Sequence, residues 1–291
     1  MNSKIISVSC PYTCGELFQG TIDGKPCLVS CPVNIYSTAF LTPGRKQPPL
    51  PDKAQRAVSC LPINGLLPIS LHQRLPAGRG YGTSTADIGS TLFAAARWAE
   101  FPLDPLQASQ LAVQIEPTDS SLLPGLALFD HRKAEFHELL GTPPSAIIVI
   151  IDPGGIVDSV VFNMHDWTLQ LKQLASLHHQ AFDLLKNGIA NQDLSAIGTA
   201  STISAKAHQM ILFNPLFDHV LKLSKQLGAA GVCRAHSGTI LGMLFSKSSF
   251  EQNSIIPFLR NNLPAEIRFH VTELIGGGPI LDRGDFYKEY G

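Results

Sequence analysis

No stretch of this chain approaches 18 uninterrupted apolar residues, so no transmembrane helix is expected. The opening residues, Met1 to Cys10, hold no long apolar run ahead of a cleavage site, which argues against a signal peptide. Charge is scarce too. Only 15% of the 291 residues are Asp, Glu, Lys or Arg, and the formal net charge is −1. That balance gives no global electrostatic case for nucleic acid or an anionic membrane. It leaves room for a local phosphate site, which needs backbone N–H groups rather than bulk charge. The expected compartment is the cytoplasm, where disulfides are rare. With 44% hydrophobic residues, the chain can fill two domains or one large one.

There are six cysteines, and Cys10/Cys14 and Cys27/Cys31 are each four apart. Structural zinc sites use closely spaced cysteine pairs. Both pairs, however, sit in strand-like, proline-marked contexts, and cysteine is among the most buried residue types. Buried thiols are therefore the favoured reading.

Hydrophobic periodicity predicts a strand over 4–10 broken at Pro11, a loop over 11–20, and strand over 27–40. Residues 42–54 read as turn or exposed loop, and Ile69 to Leu75 as a short strand. Helices are expected over 85–99 and 105–115, the second capped by Asp104 with Pro105 at its first position. Ser145 to Asp152 is the clearest strand, of the fully buried type. Helical spacing recurs over 166–186, 192–209, 215–228 and 252–262, with strands near 231–236, 239–245 and 267–275. Gly276-Gly277-Gly278-Pro279 reads as a flexible turn. Helices mixed with a few strands make the chain α+β rather than a run of βαβ units.

The most informative segment is Pro76-Ala-Gly78-Arg-Gly80-Tyr81-Gly82-Thr83-Ser84-Thr85, followed by a helical pattern. Glycines admit positive φ and close approach to a ligand. The hydroxyls can cap the next helix, whose start favours anions. No Gly-Lys-Ser/Thr ends the segment, so it is not a Walker A loop, and its glycine spacing is not that of a dinucleotide fingerprint. A nucleotide phosphate is the implied ligand, contacted by Pro76, Gly78, Gly80, Gly82, Thr83, Ser84 and Thr85.

Phosphoryl transfer to an alcohol needs positioned phosphates, a divalent metal and a group near the nucleophilic hydroxyl. Ser84 offers a metal-ligand hydroxyl. Ile115-Glu116-Pro117-Thr118-Asp119-Ser120 places two carboxylates three apart just past a helix, where both can face one site. Glu116 is assigned to the metal and Asp119 to the acceptor hydroxyl, as base or orienter. A solvated helix terminus is the plain alternative. Asp87, early in the helix after the glycines, is left outside the catalytic set because helix electrostatics account for it. Arg234-Ala-His236-Ser237-Gly238-Thr239 lies between two strand-like runs and reads equally as a turn or a ligand loop.

Pro76, Gly80, Tyr81, Gly82, Thr83 and Ser84 fill, in order, the second motif of the GHMP kinases, which the chain resembles. It is similar to the branch that contains the L-threonine kinase of cobalamin biosynthesis. The matching stretches include Cys10-Pro11…Cys14-Gly15-Glu16…Gln19-Gly20, Leu28 to Val33, Tyr36-Ser37-Thr38, Thr83 to Ile88, Ile115 to Ser120, Leu128 to His131, and Ala235 to Gly238. The resemblance implies two α+β domains: a nucleotide-binding domain over 1–143 and a ferredoxin-like domain over 144–291. It implies ATP and Mg²⁺, and transfer of the γ-phosphate to the threonine hydroxyl. It agrees with Ser84 and Glu116 on the metal and Asp119 at the acceptor. Threonine also carries an ammonium and a carboxylate. Glu16 is the candidate for the first, and His236 with Ser237 and Gly238 for the second or for phosphate. The expected partner is thus a small hydroxy amino acid, with no nucleic acid or membrane, and a homodimer is compatible with the sequence. Alternatives are another small alcohol (homoserine, serine or an antibiotic precursor) or a non-catalytic binding protein. One feature departs from the superfamily: Pro11-Tyr12-Thr13-Cys14 lacks the lysine that many members carry there.

Overall fold

Two long runs rich in β-branched and apolar residues, Ile6–Ile22 (β1) and Lys25–Leu41 (β2), pair as an antiparallel hairpin. It lies within a computed structural model that describes residues 5–44, 47–63, 65, 67–157 and 166–282. The remaining strands are Ile69–His72 (β3), Leu126–Phe129 (β4), His137–Gly141 (β5), Ala146–Asp152 (β6), Gly231–Arg234 (β7), Leu241–Ser246 (β8), Arg268–Glu273 (β9) and Ile280–Leu281 (β10). They join one antiparallel sheet in the order β5-β4-β2-β1-β7-β8-β6-β9, with β3 on β2 and β10 on β1. The helices are Asp52–Ser59 (α1), Thr83–Trp98 (α2), Pro105–Val113 (α3), Thr168–Gln173 (α4), Ala175–Ala190 (α5), Leu194–His208 (α6), Phe217–Gln226 (α7) and Gln252–Asn262 (α8). The α+β class expected from the sequence is the class observed.

Residues 11–20 are strand rather than the expected loop. Proline has no ladder N–H, and strands accept it at a bulge. The β1–β2 register slips between Pro11 and Thr13, between Thr13 and Glu16, and between Glu16 and Phe18. These irregularities free the Thr13 and Gly15 amides for partners other than β2. Part of the expected loop at 42–54 is also a helix, α1. Its residues 45 and 46 lie outside the described residues. Strands β4 and β5 are absent from the sequence expectation because each is only four or five residues long. The four glycine-region residues 276–279 are not a free turn. Gly277 donates to the Gly125 carbonyl at 2.7 Å and Gly278 to that of Ser121 at 2.9 Å.

Strand β6 explains why one sheet carries two cores. Ile148 and Ile150 face a large core shared with β1, β2, α2, α5 and α6, while Ile147, Val149 and Ile151 face a second core under α7 and α8. Alternate residues of a strand point to opposite faces, so an unbroken apolar run suits a strand covered on both. The expected boundary at 143/144 falls in the link from β5 to β6. The sheet itself crosses between the halves where β1 meets β7, at Glu16 and Arg234.

The four paired cysteines are all buried. They do not converge as two pairs. Cys14 instead lies 3.8 Å from Cys233, and Cys31 also meets Cys233. Among the described residues, no three His, Cys, Asp or Glu side chains form a metal-ligating group.

Because Ile148 is fully buried at the centre of β6, Ile148→Ala should cost about 2–5 kcal/mol, the usual range for such truncations. Urea denaturation measures it. A loss below about 1 kcal/mol would mean that the core around β6 closes over the cavity.

Candidate phosphoryl-transfer site

The glycine loop enters α2 with Gly78, Gly80 and Gly82 at φ of +78°, +98° and +61°. Two of these have a further reason to lack a side chain. A Cβ on Gly80 would lie 2.0 Å from the Cβ of Ala235, and one on Gly82 would lie 2.4 Å from Asp119 Oδ2. The loop is docked by backbone bonds to the irregular part of β1. Thr13 N donates to the Tyr81 carbonyl at 2.8 Å, and Gly15 N to that of Gly80 at 3.1 Å. From the far half, Thr239 N and Ile240 N both donate to the Arg79 carbonyl, at 2.9 and 3.1 Å. The Arg79 guanidinium reaches buried Asp152 at 2.8 Å, and Tyr81 donates to the same oxygen at 3.0 Å. Pro76 leads into this loop without touching the carboxylates described next.

Gly82 is the N-cap of α2, so the first amides of the helix face the space beside the loop. There Ser84 Oγ donates to Glu116 Oε1. Lys53, from α1, binds the other Glu116 oxygen at 2.5 Å. Asp119 is positioned by its own amide, which donates to Thr85 Oγ1 at 3.1 Å. Glu116 and Asp119 thus both meet hydroxyls of the first turn of α2, Ser84 and Thr85. Thr83 and Thr85 are buried beneath them. Asp87 faces away, accepting from Ser37 Oγ at 2.5 Å and from Gln73.

Glu16 and His236 meet each other. The His236 amide and its ring Nδ1 both contact Glu16 Oε2, at 2.9 and 2.8 Å. The ring's Nε2 faces Ser204 Oγ at 3.3 Å. His236 is fully buried, and burial holds it neutral. Its ring therefore has no nitrogen left for a ligand, which corrects its expected role at a substrate carboxylate or phosphate. It orients Glu16 instead, leaving Oε1 outside that pair. Ser237 is half-buried, and Gly238 packs on the Arg79 carbonyl.

Two residues of this site escaped sequence reasoning. Lys53 lies in a proline-flanked stretch read as loop. The helical spacing of Ala54 and Ala57, both buried, was the available signal. Thr13 has a buried hydroxyl without a partner, 2.8 Å from where a Gly82 Cβ would be. No sequence signal singles it out. Beside α1, residues 47–50, Gln55, Val58 and Ser59 of α1, Ile63, Gly65 and residues 67–69 line a cavity of about 690 Å³, with apolar walls from Pro49, Leu50, Val58, Ile63 and Leu67. That is within the usual range for small-molecule sites.

Burial, with the negative charges of Glu16 and Glu116, pushes the Asp119 carboxyl up to about 8. Burial likewise raises Glu16 to about 8. Three carboxylates therefore lie near one another, with Lys53 bonded to Glu116 alone among them. Such a cluster favours cationic ligands.

Residues 52–124 match the model for the GHMP kinases N terminal domain. An L-threonine kinase from Citrobacter freundii is 32% identical over 259 residues, covering 84% of this chain and 88% of that protein. The chain belongs to the GHMP kinases. A second L-threonine kinase, from Salmonella typhimurium, is 33% identical over 259 residues, covering 84% of each. The fold agrees with that membership. The crystal structure of homoserine kinase from Cytophaga hutchinsonii superposes with a TM-score of 0.72 at 18% identity, covering 97% of this chain and 98% of that one. No helix among the described residues is long and apolar enough to cross a membrane.

The raised Asp119 pKa has a stability consequence. Below about pH 4 both folded and unfolded chains hold this proton. Between about 4 and 8 the unfolded chain releases it while the folded chain keeps it, so stability falls as pH rises. Asp119→Asn should flatten that fall in a series of thermal melts from acid to neutral pH. Parallel curves for the two proteins would show that Asp119 ionises freely in the fold.

Proposed function

We propose that this protein transfers the γ-phosphate of ATP to the side-chain hydroxyl of L-threonine, giving O-phospho-L-threonine. The observation that carries the reading is the junction of Ser84, Glu116 and Asp119 at the start of α2, beside the glycine loop. The relatedness to L-threonine kinases over most of both chains supports threonine as acceptor and cobalamin synthesis as the setting. Residues 1–143 would bind the nucleotide and 144–291 would complete the acceptor side. The phosphates would lie along Gly78 to Thr85, where free amides and the α2 dipole favour anions. The adenine would lie in the cavity beside α1, whose inner face delivers Lys53 to Glu116.

The Ser84 hydroxyl and Glu116 carboxylate are hard oxygen donors that already meet, and a lysine ammonium balances the carboxylate. This pair fits Mg²⁺, which takes one or two protein oxygens and the rest from phosphate and water. When bound, the ion would neutralise charge on the β- and γ-phosphates. Asp119 would hold the acceptor hydroxyl and take or orient its proton, with Thr13 beside it. Glu16 Oε1 would meet the ammonium of the amino acid. Both additions are cationic, as the three crowded carboxylates require. Each would draw the raised carboxyl pKa values back down. The first motif carries no lysine, and the cation beside Glu116 comes instead from α1, as Lys53.

ATP consumption against a panel of hydroxy amino acids and small alcohols tests the acceptor. L-threonine should be best, L-serine about 10- to 200-fold poorer for want of one methyl group, and mevalonate inert. A better rate with homoserine or a non-amino alcohol would keep the family and remove the substrate.

Ser84→Ala and Glu116→Gln should each lower turnover by orders of magnitude with the fold intact. Near-normal turnover of Glu116→Gln at saturating Mg²⁺ would take Glu116 out of the metal shell. Asp119→Asn should lower kcat and kcat/KM together and leave ATP binding nearly unchanged. If it raised only the KM for ATP, Asp119 would belong to the nucleotide instead.

A further inference from the structure

Arg234 ends β7, and none of its side chain is exposed. Its Nη1 donates to Gln209 Oε1 at 2.6 Å, and its Nε to the Ala235 carbonyl at 3.2 Å. Its Nη2 is buried with no partner. No ion pair among the described residues includes Arg234. Glu16, already bonded to His236, acts on it from beyond ion-pair distance. Burial lowers the guanidinium only to about 10, so it is charged at neutral pH. A buried charge is costly unless it is paired.

Arg234 also lines a cleft of about 190 Å³ between residues 153–157, the 212–216 loop and Gly238-Thr239. Thr239 Oγ1, on the same lining, is a second buried polar atom without a partner. The other walls are mostly apolar: Pro153, Val157, Leu212, Phe213 and Leu216. Among the described residues, no acidic side chain lines it. The fork is held in place from behind. Gln209 Oε1 also accepts from Asn214 N at 2.9 Å, and Asn214 Nδ2 donates to the Thr239 carbonyl at 3.1 Å. None of Ser84, Glu116 or Asp119 reaches this cleft.

We propose that the cleft binds a small aliphatic carboxylate, held by Arg234 Nη2 and the Thr239 hydroxyl, with its carbon chain against Leu212, Phe213 and Leu216. Two free donors match the two oxygens of a carboxylate. A dianionic phosphate would bring a second charge with no second cation on the lining. The volume is below the roughly 300–1,000 Å³ of sites for larger ligands, which excludes a nucleotide. Thr239 N donates to the Arg79 carbonyl within the glycine loop. Occupancy of the cleft therefore bears on that loop. The carboxylate could come from an amino acid substrate or from a separate effector. The site itself does not depend on the phosphoryl-transfer reading.

Calorimetric titration with butyrate, L-threonine and 1-butanol tests it on the full chain. Butyrate should bind, butanol should not, and Arg234→Gln should weaken butyrate at least about tenfold. Thr239→Val, which leaves the guanidinium in place, should weaken it by a smaller factor and serves if Arg234→Gln does not fold. Displacement of butyrate by L-threonine would identify an amino acid as the source, and additive binding would identify a separate effector. The proposal fails if butyrate does not bind at millimolar concentration, if butanol binds as well, or if binding is unchanged in the folded variants.

Discussion

Everything at this site depends on the glycine loop lying flat between two other pieces of backbone. On one side are the irregular residues of β1, whose amides reach the Tyr81 and Gly80 carbonyls. On the other is the turn after β7, whose amides reach the Arg79 carbonyl. There is no space for side chains between these layers, since a Cβ on Gly80 would overlap Ala235. The loop therefore joins the two halves of the chain as well as opening α2. The Arg79–Asp152 ion pair adds a charged tie to the end of β6. Because Asp152 is almost fully buried, that tie has little competition from water.

A second constraint is electrostatic. Glu16 comes from β1 and Glu116 and Asp119 from the stretch after α3, and the three act on one another through space. Burial raises Glu16 and Asp119 well above the ordinary carboxylate range, and the charges of Glu16 and Glu116 push Asp119 further up. A fold that only needed stability would gain by replacing such groups. Their retention makes sense where cations arrive with the ligands. Lys53 shows how readily Glu116 takes a positive partner. Arg234, across from Glu16 where β1 meets β7, is buried with its Nη2 unbonded beside an apolar cleft.

The GHMP kinase motifs were legible because they are local. The glycine spacing, the hydroxyls at the start of α2 and the Glu116–Asp119 spacing are fixed by adjacent residues. Local rules of turn and helix geometry suffice to interpret them. The capped start of α3 was equally legible, since Asp104 and Gln107 form a reciprocal cap within four residues. The buried strand β6 announced itself through an uninterrupted apolar run. Where the sequence misled, tertiary context had overridden a local rule. Pro11 ends most strands, but here a bulge absorbs it. The proline-rich approach to α1 concealed a short helix whose stability comes from packing on α2.

The sequence by itself thus determined the fold class, the family, the glycine loop ahead of α2 and the carboxylate pair. Each is a matter of residue types at short spacing. Only the tertiary structure decided the partners. It placed Lys53 on Glu116 across 63 residues and His236 on Glu16 across 220. It turned His236 from a ligand group into a positioning residue and left Arg234 without a counter-charge. Contacts between distant segments depend on sheet order and register, and those are set by the packing of the whole chain rather than by neighbouring residues.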